Sequence, residues 1–470
     1  MRAARDPSSP TKTTPALDAS VWKVTAVAML GALLAQMDAT VVNVSLPSLA
    51  ADLHAPLSVI QWVTSGYLLA LALALPLSGW LVERVGAKAL YLGCFVLFTA
   101  SSALCGLAWS AGSLIGLRLL QGVSGGLLAP MAQMMIRRVA GRHFTRVAGY
   151  AALPVLLGPV LGPVIAGAVL QYANWRWLFL VNVPLGVLAW VLAWRFLPGD
   201  AAQGERKPLD GWGLALLSLG LVLVLFGLER ITAPLGLPAT AAGALLVVAF
   251  VWVQQRKGHR ALIDLSLFQR RAFSVASLAQ FFSNGVVFAG QMLVPVFLIN
   301  ACGLSTGAAG WMMASMGLGM MVSMPLLGML TERLGERPVA ITGAVLSLMS
   351  TLMLVERAAH GFDAGLVAVI LFARGMGLGA VGLPAMSLAY ASLGKGSLAM
   401  ATTALNIVQR IGGAFLTTLC ALFLAGAEQH HTTTIGLNTW AEAFLLLAVL
   451  HAVLVLATVM LPHARLHERG

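Results

Sequence analysis

Charge is scarce in this 470-residue chain. Asp, Glu, Lys and Arg make up only 10% of it and apolar residues 59%, whereas about a quarter of a soluble domain is charged. A chain this poor in charge cannot present a water-facing surface all round, so its surroundings are lipid. Acids are scarcer than bases, 17 against 29. The net charge of +12 would suit nucleic acid, but the basic residues are scattered through short stretches without a block or aromatic interleaving, which excludes that partner. The four cysteines, Cys94, Cys105, Cys302 and Cys420, lie in or beside apolar runs with no CxxC or Cys/His spacing. They fit neither a disulfide framework nor a metal site. No HExxH or Walker signature is present, so no enzyme class is indicated and no metal or cofactor is expected.

What the chain does have is long apolar runs. Fourteen can be placed, with cores near 23–46, 57–80, 88–108, 112–136, 147–170, 176–196, 211–228, 234–254, 272–299, 307–330, 338–355, 364–388, 398–424 and 440–461. Each is about 20 residues or more, the length a helix needs to cross ~30 Å of hydrocarbon. Barrel strands would alternate in polarity; these runs are continuous, which predicts an all-α polytopic membrane protein. Breakers such as His54-Ala-Pro56, Pro198-Gly-Asp200, Pro208 and Pro234 mark the joints. The polar first 22 residues read as a cytoplasmic tail. The run that follows is too long for a signal-peptide core and lacks a small-residue cleavage site.

Lys and Arg set the orientation. With both termini inside, 23 of the 29 basic residues fall in the tails and cytoplasmic loops. Arg176, Arg230 and Arg357 fall outside, and Arg118, Arg374 and Arg410 lie within spans. That asymmetry follows the positive-inside rule and predicts a multi-pass protein of the bacterial cytoplasmic membrane.

Asp38 is the only acid deep within an apolar run. A carboxylate there is costly unless it is paired, protonated or facing water, and such groups usually mark a transport or proton path. The alternative is an aspartate that only pins helices through a basic partner. Asp38 lies nine residues before Pro47 and Arg118 six after Gly112. At 1.5 Å per residue both sit roughly 9–14 Å below the outer surface and could meet. Burial alone would raise the pKa of such a carboxyl and a guanidinium would lower it, so alternation between the two could bind and release a proton.

The chain also repeats itself. Gly79-Trp-Leu-Val-Glu83-Arg84-Val-Gly86 closes the second span and Gly328-Met-Leu-Thr-Glu332-Arg333-Leu-Gly335 the tenth, with five of eight positions identical. Matching elements in two halves are typical of transporters that rock one half against the other. The expected organisation is a tail (1–22), a six-helix half (23–197), a linker with two extra helices (198–260), a second six-helix half (261–462) and a short tail (463–470).

These stretches carry a family resemblance. Gly79 to Lys88 resembles the loop signature of the major facilitator superfamily, and Leu117-Arg118-Leu-Leu-Gln121-Gly122 its fourth-helix motif, in which the arginine assists proton transfer. Gly158-Pro-Val-Leu-Gly162-Pro163-Val-Ile-Ala166-Gly167 is similar to the fifth-helix motif of drug antiporters. Asp38 to Pro47 and Trp175 to Pro184 resemble hallmarks of the fourteen-span drug:proton antiporter branch. The resemblance covers nearly the whole chain and implies a multidrug efflux transporter. Glu83, Ala87 and Ala166 depart from the usual residues, and no further intramembrane carboxylate appears in the second half.

Candidate residues follow. Asp38 and Arg118 are expected to couple protons. Gly79, Glu83, Arg84, Gly86, Glu332 and Arg333 are expected to form a cytoplasmic latch, although charges at helix ends can simply be solvated and contribute little. Gly158, Gly162, Pro163 and Gly167 would gate through a close helix contact, or simply pack. Gln280, Asn284, Phe288 and Gln291 share one helical stripe, as do Asn406, Arg410 and Gly413 with Gln409 adjacent. The methionines from Met312 onward, with Trp311 at the mouth, offer an adaptable apolar wall. Asn43, Trp62, Gln121, Asn284, Phe288, Gln291, Trp311, Met312 and Gln409 are the substrate-binding candidates. His451 reads as a packed core histidine.

The expected activity is proton-coupled export of hydrophobic or amphipathic molecules, neutral or monocationic because a single deep acid faces them. The alternative is export or import of one specific metabolite or lipid by the same fold. Expected partners are small-molecule substrates, protons and the lipid bilayer, with the chain acting as a monomer. Whether a periplasmic adaptor joins it stays open, but the short outer loop at 425–439 argues against a large docking surface.

Overall fold

The computed structural model describes residues 18–199, 210–257, 263–393, 397–430 and 437–462, and every long element among them is an α-helix. Chain order runs α1 (Ala19–Asp52), then a broken second span made of α2 (Leu57–Ile60), α3 (Trp62–Ala74) and α4 (Leu77–Val85). Next come α5 (Ala87–Gly106), α6 (Ala111–Ala140), α7 (Phe144–Tyr172), α8 (Arg176–Leu180) and α9 (Asn182–Phe196). An extra hairpin, α10 (Gly211–Glu229) and α11 (Gly236–Lys257), leads to α12 (Arg271–Asn300), α13 (Thr306–Leu334), α14 (Glu336–His360), α15 (Ala364–Ala391), α16 (Leu398–His430) and α17 (Leu437–Val459). Among the described residues, 12 helical segments are long and apolar enough to cross a membrane, or 13 with the bent pair α3–α4 as one span. One of the twelve, Ala111–Leu153, is 43 residues long and takes in both α6 and the start of α7. The helices therefore follow the order of the fourteen expected spans.

Local sequence explains the joints. Pro76 separates α3 from α4, which meet at 58°. Its ring clashes with the preceding turn and it has no N–H to give. Span two, expected near 57–80, is thus bent. Ser110 opens α6 with a capping box, in which Ser110 Oγ accepts from the Ser113 backbone N–H at 3.1 Å and Ser113 Oγ accepts from Ser110 N–H at 3.0 Å. The repeated motif proves to be a repeated structure. Gly86 (φ 94°, ψ 154°) joins α4 to α5 and Gly335 (φ 90°, ψ 163°) joins α13 to α14. Both hold a backbone conformation that only glycine adopts without strain.

The α10–α11 hairpin is clasped at its base. Asp210 caps α10 and receives Lys257 at 2.6 Å and Gln254 at 2.7 Å from α11. Burial alone would raise this carboxyl, but the bonds from Lys257, the Gly213 N–H and Gln254 outweigh it and hold the pKa below the usual value. The hairpin touches both halves: Ser218 donates to the Leu73 carbonyl of α3, and Thr418 of α16 to the Leu228 carbonyl of α10.

Three large cores show how the halves meet. One joins both halves at the end of the bundle where Lys and Arg concentrate, bringing Val82, Met131 and Phe144 together with Met386, Tyr390 and Met400. At the opposite end the cores are separate. One holds only first-half residues such as Val41, Val63 and Phe179, the other only second-half residues such as Leu293, Phe297 and Trp440. The molecule is zipped at its basic end and parted at the other.

Candidate functional site

The site begins with close helix packing. Glycines on α6 let the α3 backbone lie against it: a Cβ at Gly122 would strike the Tyr67 carbonyl, and one at Gly126 the Leu71 carbonyl. That approach delivers the Val63 carbonyl to Arg118 Nε at 3.1 Å and the Tyr67 ring to its guanidinium at 4.1 Å. On the other side α1 presents Asp38, which is 2% exposed, while Arg118 is fully buried. Asp38 Oδ2 accepts from Arg118 Nη1 at 2.5 Å. Its Oδ1 accepts from Gln121 Nε2 at 3.1 Å and from Asn182 Nδ2 at 2.9 Å. Gln121 closes the ring by accepting from the same Arg118 Nη1 at 2.9 Å. Behind Asn182 lies Ser102, whose hydroxyl accepts from Nδ2 at 3.2 Å and donates to the Phe179 carbonyl at 2.9 Å.

Four helices, α1, α5, α6 and α9, thus converge on one carboxylate. Two amide donors and a guanidinium are directed at Asp38, so both its oxygens act as acceptors. Protonation would remove the charge that holds Arg118 yet leave Arg118 its Val63 and Gln121 acceptors. Arg118 Nη2 has no hydrogen-bond partner among the described residues.

A second cluster lies at the basic end. Glu332 of α13 receives His143 Nδ1 at 2.9 Å and Arg146 at 3.5 Å, both from the first half. Arg142 Nε donates to His143 Nε2 at 3.2 Å, which leaves Nδ1 as the protonated nitrogen that faces Glu332. Thr145 donates to Glu336 at 3.1 Å. Deeper in, Ser78 and Thr403 share a hydrogen bond of 2.6 Å, and Asn406 Nδ2 donates to Gln133 Oε1 at 3.0 Å. Gly79 faces Met400 and Thr403, and a Cβ there would press on both. Space beside this seam, next to Ser78 and Thr402, amounts to about 10 Å³, no more than one water needs.

The remaining candidates divide. Of the latch, Glu332 bridges the halves, whereas Arg84 is exposed over its own helix's Trp80 ring and Arg333 is exposed. Glu83 is half-buried and engaged. Gln280 and Gln409 bond each other at 2.8 Å. Further along the same stripe Asn284 is half-buried, Phe288 is 51% exposed and Gln291 is exposed. Polar side chains at membrane depth face protein or water, so this stripe looks into the gap between the parted cores. Trp311 is exposed at the start of α13 and Met312 is half-buried beside it. Trp62 stacks on Phe226 of α10 at 6.1 Å with Arg230 over its ring, which ties it to the extra hairpin. The side chains of Asn43, Gly158, Gly162, Pro163 and Gly167 lie outside the described residues, although all five belong to α1 or α7. His451 is fully buried in α17, its Nδ1 on the Leu447 carbonyl at 2.8 Å.

Sequence reasoning missed Asn182, Ser102 and Tyr67 around Asp38, and His143, Arg146 and Glu336 at the seam. Asn182 lay inside a quoted motif, and a lone amide within an apolar run was its available signal.

Comparison with known proteins agrees with this architecture. The model of the Major Facilitator Superfamily matches residues 28–417 and again 276–469. The chain is 32% identical over 423 residues to a "Multidrug resistance protein B homolog" of Mycobacterium tuberculosis, covering 88% of this chain and 78% of that one. It is 31% identical over 367 residues to a "Putative multidrug resistance protein MdtD" of Escherichia coli, covering 76% of each. Among solved structures, the proton:xylose symporter XylE with a bound bromo-deoxyglucose superposes with a TM-score of 0.67 at 15% identity, covering 94% of this chain and 96% of that chain. The human organic anion transporter MFSD10 gives 0.61 at 20% identity over 92% and 99%. Those two identities speak for the fold alone. With repeated halves, a buried acid–arginine pair and a family match over most of its length, this chain belongs to the major facilitator superfamily.

Proposed function

We propose that the protein exports hydrophobic or amphipathic small molecules from the cytoplasm in exchange for protons, and that Asp38 carries the proton. The observation behind this reading is the Asp38 knot: the only deep carboxylate of the chain, sealed from solvent and held by Arg118, Gln121 and Asn182. The relatives named for multidrug resistance support efflux of drug-like compounds. The basic end is assigned to the cytoplasmic side, with both termini inside, on the distribution of Lys and Arg. The conformation is then open outward and closed inward.

From that state, a transient opening of the seal lets a proton from outside neutralise Asp38 and loosen its hold on Arg118. The halves then rock, the Glu332, Glu336 and Ser78–Thr403 contacts part, and substrate enters from the inside as the proton leaves. The bend-forming run Gly158 to Gly167 of α7 is proposed to seal the outer side in the alternate state. A pH gradient imposed across proteoliposomes containing the protein should drive uptake of compounds from a lipophilic panel. A panel that moves equally well with the gradient collapsed would overturn proton coupling. Cysteines at Ser110 and Asn300 should label from outside with an impermeant maleimide and one at Gln203 should not; labelling at Gln203 in intact cells would reverse the orientation.

A further inference from the structure

Three guanidiniums lie within the spans and one carboxylate lies among them. Arg118 takes that carboxylate. Arg374 is fully buried and spends its donors on neutral groups: the Val286 carbonyl at 2.9 Å, Thr351 Oγ1 at 3.3 Å and Met316 Sδ at 3.2 Å. The absence of a side chain at Gly290 makes room for it, since a Cβ there would collide with the guanidinium. No ligand can reach it. Arg410 is different.

Arg410 lies on the face of α16 that meets the first half. Thr403, Asn406 and Arg410 follow at i, i+3 and i+7, so they share one stripe. Thr403 is tied to Ser78 and Asn406 to Gln133. One turn further from the basic end, Arg410 comes within Coulombic reach of Tyr67, the ring that lies under Arg118. There the zipper between halves stops. Arg410 is half-buried and makes no hydrogen bond or ion pair with any described residue. The next residue of the stripe, Gly413, faces Phe288, whose nearest ring carbon lies 3.2 Å from where a Cβ would be; that ring is 51% exposed. An unpaired guanidinium at membrane depth is costly to keep, and it stands beside an open aromatic surface where the halves part.

We propose that Arg410 is a substrate-binding residue that recognises one anionic group, such as a carboxylate, on an otherwise apolar molecule whose body lies along Phe288. This deepens the transport reading above and rests on it. Counting acids alone favours neutral compounds and monocations. With Asp38 neutralised by Arg118, the charge left facing the gap is positive, so among singly charged amphiphiles monoanions are preferred over monocations, and neutral molecules are still accepted.

Equilibrium binding tests this without requiring proton coupling. Full-length protein in nanodiscs is titrated at neutral pH with three fluorescent probes sharing one body: dansylaminoundecanoate, its neutral methyl ester, and an analogue ending in trimethylammonium. Wild type should bind the carboxylate about tenfold more tightly than the ammonium, as one charge-assisted contact implies. Arg410→Gln should weaken the carboxylate by about tenfold and leave the ester within about twofold, while Arg410→Lys retains most of the preference. Unchanged carboxylate affinity in Arg410→Gln, a preference for the ammonium in wild type, or no binding of any probe would each overturn the proposal. If Arg410→Gln does not fold, the wild-type ranking of the three probes decides. Retained carboxylate binding with no pH-driven transport would count against the coupling reading instead.

Discussion

Arg118 and Arg374 occupy matching places, on the fourth span of each half, and both are fully buried. Their surroundings are opposite. Arg118 faces a carboxylate that itself has two amide donors, and one of its nitrogens has no partner among the described residues. Arg374 faces a carbonyl, a hydroxyl and a thioether, none of which can gain or lose a proton near neutral pH. The repeat has therefore kept a buried cation in both halves but placed a titratable partner in only one. On the proposed reading the first half changes protonation and the second stays fixed, an asymmetry that α6 and α15 do not reveal by their similar lengths.

The sharpest way to break this comparison is to remove each arginine. Arg118→Leu leaves Asp38 buried without its counter-charge, a change of about 3–5 kcal/mol for such pairs, which the protein avoids by keeping Asp38 protonated. Coupled transport should be abolished in a proteoliposome assay. Arg374→Leu strands no carboxylate, so pH-driven transport should persist, although a lowered melting temperature is expected from the lost packing. If Arg374→Leu loses coupling and Arg118→Leu keeps it, the assignment is reversed.

Next in size is Gly290→Ala. Its methyl would press on the Arg374 guanidinium, and overpacking of this kind costs about 1–3 kcal/mol. Thermal unfolding should show the loss, and the double change with Arg374→Leu should recover part of it. An additive double mutant would mean that the two do not share space. Smaller again is the clasp at the basic end. Partly exposed ion pairs such as Glu332 with His143 and Arg146 contribute about 0–1 kcal/mol, so Glu332→Gln should shift the inward-closed population by up to roughly fivefold. Spin-label distances across the seam would report it; an unchanged distribution would make Ser78–Thr403 and the apolar core the real fastening.

The smallest expected effect is at the opposite end. Asp52 receives the Trp175 indole at 2.8 Å and Arg176 at 2.9 Å. The Trp175 bond, then Arg176, holds its pKa below the ordinary 3.8. A depressed carboxyl stabilises the fold above that value and stops doing so as pH falls through its folded pKa. Asp52→Asn should be slightly less stable than wild type at neutral pH and equal to it in strong acid. A gap that persists in acid would assign the effect to shape rather than charge.

Much of this was legible in the sequence, for particular reasons. Asp38 and Arg118 stood out because charge inside an apolar run is rare, and depth counted along each helix put them level. The repeat was visible because Gly86 and Gly335 are required by the same left-handed backbone. Asn182 was not legible as a partner of Asp38, because 144 residues separate them and helix rotation decides which face turns inward. The stacking of Trp62 on Phe226 was not legible, because Phe226 belongs to the extra hairpin, whose docking no local pattern reveals. The His143–Glu332 contact depends on how two halves close, which is a property of one conformation.

The most direct test of the central claim is transport by Asp38→Asn, which mimics the protonated acid. In proteoliposomes the variant should fail to accumulate substrate against its gradient when a pH difference is imposed, yet still exchange substrate across the membrane at equal concentrations. Undiminished pH-driven accumulation in Asp38→Asn would show that another group carries the proton.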